Sequence, residues 1–231
     1  MRLFTEETSW ETARRDVRFT CAALGASSAH KALTPPLQKL LAQWSGLDQE
    51  RLNAEDALVD ANAHVHACDV ELDQLVACLS TSLLHNDTKG NRRHPVFVKF
   101  FPESPTAVIR LGLESEIDRV ERFFVVSREV SPSKETQRIL KDIQDTCVRG
   151  RKVLAEREET TLDLARVSLK LAGWKESANA VRRSVENALD AHATHEGFAR
   201  DYSTRFFPTA QRSKRAKRAP IATLPGPNGV G

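Results

Sequence analysis

The chain has 231 residues, 40% hydrophobic and 28% charged, enough to bury a core in one large domain or two small ones. Only 6% are aromatic, with a single Tyr, which argues against a β-sandwich or barrel, where aromatic and β-branched residues carry the strands. Of 34 basic and 31 acidic residues, five basic and no acidic ones lie in 208–231, leaving a slightly acidic body of 29 against 31 in 1–207.

The four cysteines, Cys21, Cys68, Cys78 and Cys147, are widely spaced and form no C-x-x-C pair. They read as reduced thiols of a cytoplasmic protein. Met1–Glu7 lacks the apolar core of a signal peptide, and no run approaches the ~18 apolar residues of a membrane span.

A first helix is expected over Glu6–Leu24, capped by Thr5 or Thr8 and ended by Gly25. The dominant stretch follows, a long helix over about 35–85 opened by Pro35 and Pro36 with Thr34 as its cap. Leu37, Leu40, Trp44, Leu47, Ala54, Leu58, Ala61, Val65, Cys68, Leu72, Leu75 and Leu79 recur in alternating steps of three and four, broken only at Arg51. That is the heptad spacing of helices that wrap around partners. Gly46 lies outside the seam and is expected to be tolerated, with a break there as the alternative.

His85–Pro95 reads as a polar loop, and Val96–Pro102, bounded by prolines, as an extended segment across a bundle end. A helix over about 113–130 carries Leu113, Ile117, Val120 and Phe124 on one face, with Glu114, Glu116 and Asp118 in its first turns, where the helix dipole favours acids. Ser131-Pro132-Ser133 interrupts the chain before a helix over about 133–172. Gly173 is expected to allow a turn into a last helix over about 174–207, stopped by Pro208. The fold class is therefore all-α: an elongated antiparallel bundle in one domain, 1–207, with a disordered basic tail, 208–231.

Leu58, Val65, Leu72, Leu140, Leu154 and Val185 are the predicted core. Chemistry-bearing residues are sparse. His192, His195 and Glu196 share the last helix at metal-chelating spacing, and Asp60 with His64 on the long helix are an i, i+4 pair that could complete a set. The recurrent Glu-x-x-His and His-Glu-x-x-His motifs are absent, so the imidazoles read first as a polar layer in a seam, with no metal bound. Arg212, Lys214, Arg215, Lys217 and Arg218 could neutralise phosphates without reading sequence, and no aromatic interleaves them for base stacking.

Residues 35–85 carry eight acids against Lys39 and Arg51, which disfavours a membrane-bending role for the long helix. No phosphate loop, dinucleotide fingerprint, nucleophile elbow or zinc ribbon occurs. No catalytic residue and no cofactor is assigned. The expectation is a non-catalytic interaction or scaffold protein that binds a protein partner, or itself, through helix faces. The alternatives are weak nucleic-acid contact through the tail and, third, a metal-binding bundle.

Overall fold

A computed structural model describes residues 1–208. The expected basic tail lies outside the described residues from Thr209 onward. The fold is all-α. Among the described residues the helices are α1 (Trp10–Gly25), α2 (Pro35–Ser82), α3 (Pro95–Phe100), α4 (Pro105–Ile109), α5 (Leu113–Val130) and α6 (Lys134–Glu196). Short 3-10 turns cover Lys31–Leu33 and Tyr202–Phe206, and a π turn, Leu83–Asp87, follows α2. The described residues fall into two compact units, Met1–Leu41 with residues 176–208, and Ala42–Lys175.

In the first unit, Ser9 caps α1 by accepting a hydrogen bond from the Thr12 amide at 3.2 Å, the role expected of Thr5 or Thr8. Ala13, Val17, Thr20 and Leu24 then recur in steps of four and three and are all buried. They share this unit with buried Leu37, Leu40, Ala178, Val185 and Leu189. Arg182 is buried among them. Its guanidinium lies 4.3 Å from the Phe4 ring centroid, and it donates to the Arg2 carbonyl at 2.8 Å. Burial pulls its pKa down, while Asp16 and Glu186 oppose the shift.

The second unit is built on an antiparallel pair, the α2 and α6 segments between residues 42 and 175. Lys170 meets Glu50 at 2.7 Å, Arg149 meets Glu71 at 2.6 Å, and the Ser82 and Thr136 hydroxyls meet at 2.8 Å. Trp44 and Trp174 pack edge to face at 4.9 Å. At the α3–α5 end, Leu72, Val76, Leu79, Phe97, Phe100, Ile117, Val120, Phe123, Ile143 and Cys147 form a common core. Gly150 lets α5 approach α6: a Cβ there would sit 2.8 Å from Ile117 Cδ1. The α5–α6 corner turns at Ser131, whose φ of 46° is left-handed. Ser133 caps α6, its hydroxyl accepting from the Thr136 amide at 3.3 Å, and Asp87 of the π turn braces that cap, accepting from the Ser133 amide at 2.7 Å and the Thr136 hydroxyl at 2.6 Å.

Five sequence expectations are corrected. No turn occurs at Gly173, because α6 runs unbroken through it. Leu171, Trp174 and Ala178 are buried at uninterrupted helical spacing, which outweighs glycine's cost of about 1 kcal/mol in a helix interior. The last helix ends at Glu196 rather than near 207, because Gly197 takes a φ of 70° and the Phe198 amide donates back to the Ala193 carbonyl at 2.8 Å. The Pro95–Phe100 run is a helix, not an extended segment. Pro95 suits its first turn, and His94 Nδ1 accepts from the Val96 amide at 3.3 Å. The long helix keeps α geometry through Gly46 but ends at Ser82. Of the predicted core, Leu72, Leu140 and Val185 are buried, whereas Leu58, Val65 and Leu154 are half-buried.

Candidate functional site

The histidines of the sequence pattern part company. His195 is exposed, its Nδ1 2.9 Å from Glu196 Oε1. His192 is half-buried and meets His30 edge to face, ring centroids 4.7 Å apart. Although three residues leave the two rings only about 60° apart around the helix, His192 alone meets Phe198 and Tyr202 of the segment that Gly197 turns back, whereas His195 stays exposed. That segment supplies Tyr202, whose hydroxyl lies 2.8 Å from His30 Nε2, and Phe206, 5.2 Å from the His30 ring. Burial lowers the pKa of His30, and His192 lowers it further. His30 was not a candidate from sequence: it stands alone after a small-residue linker and belongs to no periodic stripe.

Asp60 and His64 are both exposed on α2, and they belong to the second unit, whereas His192, His195 and Glu196 belong to the first. Among the described residues, no group of three or more His, Cys, Asp or Glu side chains is placed to hold a metal ion. The five basic tail candidates, Arg212 to Arg218, lie outside the described residues.

A carboxyl cluster that sequence reading missed lies in the second unit. Asp69 and Asp73, one turn apart on α2, approach Glu116 of α5. Glu116 is 0% exposed, and with both groups ionised neither of its oxygens has a donor. One oxygen each of Asp69 and Asp73 is also buried without a partner. A hydrogen bond between Glu116 and Asp73 forms only when one of them holds a proton. Desolvation first, then the charge of Asp73, raises the Glu116 pKa to about 8. Asp73 is pushed up too, by burial and then by Asp69. Desolvation also raises nearby Cys147 to about 11, so it stays a thiol at neutral pH. Burial beside other carboxyls thus favours the protonated form of Glu116 at neutral pH. The cluster offers no base beside a nucleophile, and neither the fully buried Glu116 nor the buried Cys147 is open to a substrate.

The third feature is surface. Between Trp44 and Ala61 on α2, and between Gly150 and Val167 on α6, no side chain is fully buried. There the start of α5 reaches only the near end of the α6 stretch, at Arg151 and Leu154. Arg51, which breaks the seam, is held by Asp48 at 3.1 Å and Glu55 at 2.7 Å on its own helix. Leu162 is 52% and Leu169 73% exposed. Open grooves flank α6. One is lined by Ile117, Leu154 and Arg157, the other by Ala54, Ala57 and Arg166. No helix among the described residues is long and apolar enough to cross a membrane. No family model, curated protein or solved structure matches the chain.

Proposed function

We propose that the chain is a non-catalytic helical scaffold whose second unit receives other proteins on open helix faces. One observation carries this reading. Val148, Ala155, Leu162 and Leu169 recur at steps of seven along α6, and all four are exposed. Seven residues return a helix to within about 20° of the same face, so these side chains form one line. The line is separate from the seam that packs on α2. A helix pair buries one stripe per helix, and a second apolar heptad stripe is surplus to folding the pair. All four thiols are free, which fits a reducing compartment, and we place the protein in the cytoplasm.

The test is the double variant Leu162→Glu/Leu169→Glu. Both positions are exposed, so the melting temperature should hold while proteins that co-purify with the wild-type chain are lost. Unchanged co-purification, or no co-purifying protein at all, would refute the reading.

A further inference from the structure

A second exposed stripe lies on α2. Leu52, Asp56, Val59, Ala63, His66 and Val70 follow one another in steps of four, three, four, three and four, and all are exposed. The alternation is that of a coiled-coil seam, and none of these residues belongs to the seam that includes Leu58, Ala61, Val65, Cys68 and Leu72. Val59 at its middle is 66% exposed. The whole stripe lies inside the second unit.

The charges around it are uneven. Asp48 and Glu55 are taken up by Arg51, Glu50 by Lys170 and Glu71 by Arg149. Asp69 and Asp73 belong to the carboxyl cluster of Glu116. Asp56 and Asp60 remain, and neither has an ion-pair partner among the described residues. Asp56 lies within the stripe and Asp60 directly follows Val59, so the uncompensated negative charge of α2 borders its exposed apolar residues. Lys39 and Arg51 are the only Lys or Arg residues in α2, and its two histidines, His64 and His66, are both exposed.

We infer that this stripe docks a basic amphipathic helix of a partner protein, with apolar residues in three-four spacing flanked by Lys or Arg. Apolar side chains of that helix would cover Leu52, Val59, Ala63 and Val70. Lysine or arginine stems would lie along the edge and bring their charges to Asp56 and Asp60. Two other occupants fit less well. A second copy presenting its own α2 would oppose acid with acid. The chain's own Arg212–Arg218 run is basic but offers only Ala216 as an apolar residue. The inference rests on the scaffold reading in taking the second unit to be a docking unit, and it adds the face and the chemistry of the partner.

The experiment uses the full chain and two synthetic helical peptides with identical leucine positions, one flanked by lysines and the other by glutamates, with binding read by fluorescence anisotropy. The lysine peptide should bind, more weakly as salt rises, and the glutamate peptide should not. Asp56→Lys/Asp60→Lys and Val59→Gln/Val70→Gln should each weaken the lysine peptide by about tenfold or more, since charge and apolar contact both set pairing. Glu158→Lys/Glu159→Lys, an equal reversal on α6, should leave binding within about twofold, because rim charges far from a contact contribute little. Circular dichroism checks that every variant keeps its helix content.

Equal affinity for the two peptides, or equal losses in the α2 and α6 reversals, would overturn the inference. So would tighter peptide binding on deleting 209–231, which would assign the stripe to the tail. Dimerisation abolished by Val59→Gln/Val70→Gln would assign it to a second copy and also overturn it. If the peptide test fails while Leu162→Glu/Leu169→Glu still loses co-purifying proteins, the scaffold reading stands and this inference falls alone.

Discussion

Replacing Glu116 by Gln keeps the side chain's size and removes its charge. In the folded chain Glu116 titrates at about 8, against an ordinary value of 4.5. A raised carboxyl pKa means that the folded state holds its proton after the unfolded chain has lost it. Stability therefore falls as pH rises from about 4.5 to about 8 and levels off above. At about 1.4 kcal/mol per pH unit, the loss accumulated by pH 7 is of order 3 kcal/mol. The amide of Gln recovers part of this and loses part to its own desolvation, about 1–2 kcal/mol. The net expectation is a variant about 1–2 kcal/mol more stable than wild type at pH 7, more so at pH 8, and equal or weaker at pH 5. Urea melts at pH 5, 6, 7 and 8 measure this directly. Asp73 remains in the variant, so a shallower residual slope is expected. Parallel stability curves for the two proteins would refute the reasoning, because they would mean that Glu116 is solvated or paired.

Three further outcomes are expected. His30 has a lowered pKa, so its neutral form favours folding and acidification below about pH 6.5 should loosen the Tyr202 segment; His30→Gln should flatten the pH dependence of hydrogen exchange in 198–207, and an unchanged profile would exclude this role. Gly173→Ala meets no atom within 4 Å and should stabilise the chain by up to ~1 kcal/mol, whereas a turn at this position would make it destabilising. Asp87→Ala leaves the Ser133 amide and the Thr136 hydroxyl without the carboxylate that braces the α6 cap and should cost about 1–2 kcal/mol in thermal or urea unfolding.

The heptad seam of α2 was legible because burial follows period: Leu37, Trp44, Ala61, Cys68, Leu72 and Leu79 are all buried where the spacing puts them. The end of that seam's dry stretch was not legible. Leu47, Ala54 and Leu58 continue the pattern, yet they are only half-buried. Gly173 was misread because glycine before a Trp is chemically equal to a turn or a helix interior, and only the buried neighbours decide. Glu116 was visible as an acid in a first turn, where the dipole accounts for it. Its place between Leu113, Ile117 and Val120 was the overlooked signal that it faces inward. His30 carried no signal, because contact with His192 and Tyr202 is set by the return of the chain after Gly197.

The claim that the second unit receives proteins on exposed helix faces is tested most directly by a photo-crosslinking residue placed at Leu162, with a control at Lys134 beside the α5–α6 corner, in the native host. Discrete adducts larger than the chain should form at Leu162 and not at Lys134. No adduct at Leu162, or the same diffuse products at both positions, would contradict the account.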